Sequence, residues 1–147
     1  MRIAIFVTLG VVLALALVLL ARQRRRAGEL RIYAVGLFAA ALIYVGFVTL
    51  RAGSGRGPAL ELAGVAVFGL LAWRGVRTGS GTLLAVGWAA HVLWDVLLHL
   101  SDAPGSAYTP DWYPWLCVGF DLVIAGALVR RPRRPTRAAP VGGSRAE

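Results

Sequence analysis

Three ionisable side chains, His91, Asp95 and His99, follow one another at four-residue spacing inside HVLWDVLLH, a stretch otherwise fit for hydrocarbon. On a helix each step of four turns about 40°, so the three share one face. An imidazole one turn from a carboxyl group is equipped to pass a proton, and together such groups can ligate a cation. Trp88 and Trp94 flank the same arc, whereas Leu93, Val96 and Leu97 point away from it. Polar groups in hydrocarbon cost free energy unless they are paired or put to use. Glu61 and Asp121, both in apolar surroundings, are the available partners.

The elements that must position these groups are apolar helices. Of the 147 residues 58% are hydrophobic, more than a soluble chain of this length can hide. Five apolar stretches stand out, at about residues 3–21, 30–50, 58–73, 82–100 and 113–129. Each approaches the ~20 residues needed to cross ~30 Å of hydrocarbon, and the third reads as the shortest. Connections are short, so the expected fold is all-α: one polytopic membrane bundle over residues 1–130. RRPRRPTRAAPVGGSRAE closes the chain, and residues 131–147 read as a disordered basic cytoplasmic tail. RQRRR follows the first apolar run, where a signal peptide carries its charge in front, so that run reads as a retained helix. Pro58 is placed to open the third helix, and Gly36 with Ala40 would let the second approach a neighbour closely. The single cysteine, Cys117, excludes an internal disulfide and reads as a small buried hydrophobe.

A net charge of +9 invites thoughts of nucleic acid, but its distribution argues otherwise. All sixteen basic residues are arginines. All but Arg2, Arg51 and Arg56 fall at residues 22–31, at Arg74 and Arg77, or at residues 130–145. With five helices those places share one side of the membrane. That asymmetry puts the N-terminus outside and the C-terminus in the cytoplasm. No nucleic-acid partner is expected.

Topology then supplies depth. The third and fifth helices enter from outside and the fourth leaves there. Glu61 falls about 5 Å below the outer boundary, Asp95 about 7 Å, and His91 and Asp121 about 12 Å, at 1.5 Å per residue. His99 lies close to the surface. All five converge in the outer half of the membrane, beneath the aromatic loop SDAPGSAYTPDWYP. A single Asp–His hydrogen bond would do no more than pin two helices; five such groups exceed that need.

GWAAHVLWDVLLH, DWYPWLCVGFD, ALIYVGF and the ELAGV around Glu61 resemble a family of small bacterial integral-membrane proteins of unknown function. The likeness spans about residues 30–125. Its motifs fall on Glu61, Gly87, Trp88, His91, Trp94, Asp95, His99, Trp112, Tyr113, Pro114, Phe120 and Asp121. The resemblance implies a shared site and names no chemistry. A looser likeness, of architecture only, is to small membrane-bound terpene cyclases, few-helix bundles with intramembrane acids and many aromatic rings.

Three functions compete. The foremost is an enzyme of the plasma or inner membrane performing acid–base chemistry on a lipophilic, isoprenoid-like substrate, without a cofactor. Asp95, Asp121 or Glu61 would be the general acid, with His91 and His99 as proton carriers. Trp88, Trp94, Trp112, Tyr113, Phe120 and Tyr44 would form walls whose π-faces stabilise cationic charge. Proton in, carbocation held, proton out is the logic of terpenoid cyclisation or isomerisation. No dinucleotide fingerprint, phosphate loop or nucleophile elbow is present. The second is a hydrolase with a divalent metal such as zinc on His91, Asp95 and His99. The third is a small proton-coupled transporter or lipophile-binding protein, disfavoured because the acids lie to one side of the midplane. Oligomerisation is left open.

Overall fold

The computed structural model describes residues 1–51, 56–100 and 103–130. It contains five helices and, among the described residues, no strand: α1 (Arg2–Arg22), α2 (Arg26–Leu50), α3 (Gly57–Arg77), α4 (Gly81–His99) and α5 (Tyr113–Val129). The first four are long and apolar enough to cross a membrane, and α5 is an apolar helix of 17 residues. This is a helical bundle with the make-up of a membrane protein. The basic tail expected at residues 131–147 lies outside the described residues.

Local signals explain the boundaries. Pro58 and Pro114 sit in the first turns of α3 and α5, where a missing N–H leaves no helical bond unmade. Ser80 caps α4 by accepting a hydrogen bond from the Leu83 N–H at 3.1 Å. Gly79, at φ 62°, makes the reversal between α3 and α4 that other residues would resist. The third helix is not the shortest, as hydropathy suggested; it runs 21 residues, and α5 is shorter. Arg74 and Arg77 end an apolar run without ending a helix, because arginine is a good helix former and suits a helix C-terminus.

The packing is inverted relative to a soluble bundle. Large side chains such as Leu19, Val35, Leu93 and Leu97 face outward, while Glu61, His91, Asp95, His99 and Asp121 are buried. Helix α5 packs against α1 and α4, α2 against α3, and α3 against α4. Leu37, Phe68, Leu84, Trp88 and Ile124 belong to one continuous core. The closest helix approach is between α1 and α5. A Cβ added to Gly10 would fall on the carbonyl oxygen of Leu116, and one added to Gly119 on that of Val7. Gly36, by contrast, makes room for the Trp88 ring rather than for a neighbouring backbone.

Helix ends pair as an antiparallel bundle requires. A Cβ on Gly81 would meet the guanidinium of Arg26 and the side chain of Leu128, so the starts of α2 and α4 and the end of α5 lie together. Phe6 meets Trp112 at the opposite end, with ring centroids 5.9 Å apart. The arginine-rich connections therefore share one end of the molecule.

Gly10→Leu should split α1 from α5 and lower the detergent melting temperature markedly. Gly46→Ala, with open space around it, should be neutral or stabilise by about 0.5–1 kcal/mol through helix propensity. Topology is checked separately. A reporter fused after Glu147 should be active only in the cytoplasm, and one inserted at Ser106 only outside.

Candidate functional site

Two helices in register build the centre of the site. His91 and Asp95 lie one turn apart on the buried face of α4, and Asp121 comes from the facing side of α5. His91 Nδ1 is 2.8 Å from Asp121 Oδ2 and 3.5 Å from Asp95 Oδ2. The Tyr44 hydroxyl on α2 donates to Asp95 Oδ1 at 2.6 Å. His91 and Asp95 are fully buried and Asp121 is 1% exposed. One ring nitrogen thus stands between two carboxyl groups in surroundings without bulk water.

A second set lies towards the C-terminal end of α4. His99 does not join His91 and Asp95, because eight residues along a helix are about 12 Å of rise and 80° of rotation. Its Nε2 instead approaches Glu61 Oε1 of α3 at 3.4 Å, and its Nδ1 meets Thr109 Oγ1 at 3.1 Å. The Tyr108 hydroxyl donates to Glu61 Oε1 at 2.5 Å. Burial, helped by that carboxyl group, raises the phenol of Tyr108 above its ordinary range, which keeps it a donor. The two sets are joined by Tyr44: its ring stacks on His99 at 3.8 Å and 12°, while its hydroxyl serves Asp95.

The loop that carries Tyr108 and Thr109 is folded back onto α4. The Gly105 N–H donates to the Leu98 carbonyl at 2.7 Å, and the Thr109 N–H to the Gly105 carbonyl at 3.1 Å. A Cβ at position 105 would collide with the His99 ring and with the Leu98 carbonyl, so only glycine lets the loop close this tightly. Tyr108 and Thr109 reach the site through this fold. An aromatic in an aromatic loop carries no local signal that it will turn inward.

The expected aromatic walls divide. Tyr113 meets Tyr44 edge-on at 5.4 Å, and the half-buried Trp94 packs edge-on against Phe68 at 5.7 Å. Trp88 and Phe120 pack on one another at 5.7 Å within the main core. Trp112 is 43% exposed and lies against Phe6 and Tyr113, apart from the histidines and carboxylates. Phe68, which nothing in its own sequence context singles out, packs edge-to-face with the His91 ring, their centroids 4.9 Å apart. Cys117 is buried beside Tyr44 and Tyr113, as a small hydrophobe.

The donors are incompletely satisfied. Among the described residues, His91 Nε2, Asp95 Oδ2, Asp121 Oδ1 and His99 Nε2 are buried without a hydrogen-bond partner. A buried orphan costs about 1–3 kcal/mol, more if charged, and three of these atoms, on His91, Asp95 and Asp121, lie together at the centre. The donor atoms of His91, Asp95 and Asp121 lie within 4.8 Å of one another, the arrangement of a group that could hold a metal ion. The sequence reading put His99 in that third place; Asp121 occupies it.

Tyr44→Phe removes one of these bonds and should destabilise the protein by about 1–3 kcal/mol in detergent unfolding. On an Asp95→Leu background the same change should cost much less, a coupling that a double-mutant cycle measures.

The sequence profile of one family matches residues 3–131. No curated protein and no solved structure matches the chain. With the profile covering nearly all of the helical bundle and both sets of buried polar residues, the chain belongs to DUF6010, a family of unknown function.

Proposed function

We propose that this protein is a membrane-embedded enzyme that uses acid–base chemistry on a lipophilic substrate, of the isoprenoid cyclisation or isomerisation type. The observation that carries the reading is His91 Nδ1 poised between Asp121 Oδ2 and Asp95 Oδ2 with all three groups buried. The imidazole is hydrogen-bonded to Asp121 at 2.8 Å and stands within reach of Asp95 at 3.5 Å. A small ring movement is then enough to hand a proton from one to another. His91 Nε2, buried without a partner, is the atom left to meet a reacting group. Tyr44 holds Asp95 in place, and the rings of Phe68, Trp94 and Tyr113 supply apolar walls with π-faces suited to a transient cation.

Protons would be replenished from the loop end. Tyr108, Glu61 and His99 make a polar series from the loop inward, which ends where the His99 ring stacks on Tyr44, so a water would have to carry the proton on to Asp95. Because the centre is fully buried, turnover requires helices to part and admit the substrate from the bilayer. Such gating commonly sets the rate in enzymes that close over their substrates. On the arginine distribution, the loop end faces outside and the protein resides in the plasma or inner membrane.

One observation favours a second reading, a divalent-metal-dependent hydrolase. The donor set of His91, Asp95 and Asp121, one nitrogen and two carboxylates, is of a kind that holds zinc or a related ion. A bound ion would then supply the nucleophile by activating water.

Metal analysis of detergent-purified protein, with mass spectrometry of lipid extracts from cells with and without it, separates the two. A changed isoprenoid with no stoichiometric metal supports the acid–base reading. Retained metal that Asp121→Asn removes supports the hydrolase. Within the acid–base reading, Asp95→Asn should lower turnover by about 10²–10⁴-fold while the protein still inserts and purifies. His91→Ala should be comparably severe and His99→Ala milder. Full activity in Asp95→Asn, with an Asp95→Leu variant that cannot fold, would reduce Asp95 to a structural link between helices.

A further inference from the structure

Away from the polar centre, α2 and α3 form an open surface groove of about 630 Å³, within the ~300–1,000 Å³ usual for ligand sites. It is lined by small residues, Ala34, Ala66, Gly69 and Ala72, and by larger ones such as Phe38 and Val65. The ring of Phe38 lies directly over Gly69, 3.2 Å from where a Cβ would stand. Along α3 the lining runs from Val65 to Val76, a rise of about 16 Å, which is the depth of one leaflet of ~30 Å hydrocarbon. The groove is thus apolar for the length of one acyl chain.

Its other end is charged. Arg31 lines it beside Trp73 and Val76, at the arginine-bearing end of the bundle. Arg31 is exposed and makes no ion pair among the described residues, unlike Arg26, which reaches Glu29 at 3.4 Å. Arg74 and Arg77 carry their guanidinium groups 5.8 and 5.7 Å from the exposed Trp73 ring. Arg31 thus lines the charged end of the groove, and Arg74 and Arg77 flank the Trp73 ring that lines it beside Arg31. We infer that this groove is a binding site for an anionic phospholipid, with the phosphate at Arg31, Arg74 and Arg77 and one acyl chain along Ala34, Phe38, Ala66 and Gly69. Arginine is suited to a phosphate through paired N–H donors, and basic clusters between membrane helices select anionic headgroups.

Native mass spectrometry of the detergent-purified protein tests this with phosphatidylglycerol and phosphatidylcholine of identical chains. The wild type should retain one phosphatidylglycerol in preference to phosphatidylcholine. Arg31→Gln should weaken that retention about fivefold, the effect of one arginine near a headgroup, and leave phosphatidylcholine unchanged. Ala66→Leu, at an exposed lining position, should reduce retention of both lipids by filling the groove; if it fails to fold, Ala66→Val serves the same purpose. Arg24→Gln, outside the groove, should behave as wild type. Equal retention of the two lipids by the wild type would overturn the assignment. So would an Arg31→Gln variant that keeps the full preference.

Discussion

Burying an imidazole and two carboxyl groups on adjacent helices is costly, several kcal/mol for each ion left uncompensated, and the bundle is organised around meeting that cost. His91 can be satisfied only if α5 brings Asp121 to within 2.8 Å, and Asp95 only if α2 brings Tyr44 to 2.6 Å. Those two bonds fix the rotation of three helices at once. The α1–α5 contact then follows, since α5 held against α4 leaves its glycine face, at Gly119, for α1 to cover. Lipid offers no hydrophobic drive to bring helices together, so polar pairing and close glycine contact carry the association.

The same interactions that hold the helices give the site its chemical character. Satisfying helix pairs would need one partner for each polar group. Instead His91 is shared between two acids, and several buried nitrogen and oxygen atoms remain without partners. The loop after α4 adds a second layer, with Gly105 closing against His99 so that Tyr108 can reach Glu61. Polar groups thus run from the loop to the middle of the bundle, with Tyr44 as the junction.

Much of this was legible in the sequence. Apolar runs gave the five helices to within a residue or so, apart from the start of α2 and the end of α3, where arginines extend each helix beyond its apolar run. Helical phase placed His91 and Asp95 on the inner face and Leu93, Val96 and Leu97 on the outer one, as their exposure bears out. The convergence of Glu61 and Asp121 on the same end followed from alternating helix direction. What periodicity could not reveal was pairing. His99 and His91 share a face, yet 12 Å of rise sends them to different acids. Nor could composition single out Gly10 and Gly119 among eighteen glycines, because which helices touch is decided by tertiary packing.

The whole arrangement turns on His91 being held in a buried site by Asp121 and Asp95 together. Solid-state ¹⁵N spectroscopy of histidine-labelled protein in lipid bilayers tests this without knowledge of the substrate, with His99→Ala assigning the remaining signal to His91. A strongly hydrogen-bonded Nδ1 is expected, one that exchanges slowly with D₂O and shifts in both Asp121→Asn and Asp95→Asn. A His91 resonance that exchanges freely, or that neither substitution moves, would contradict it.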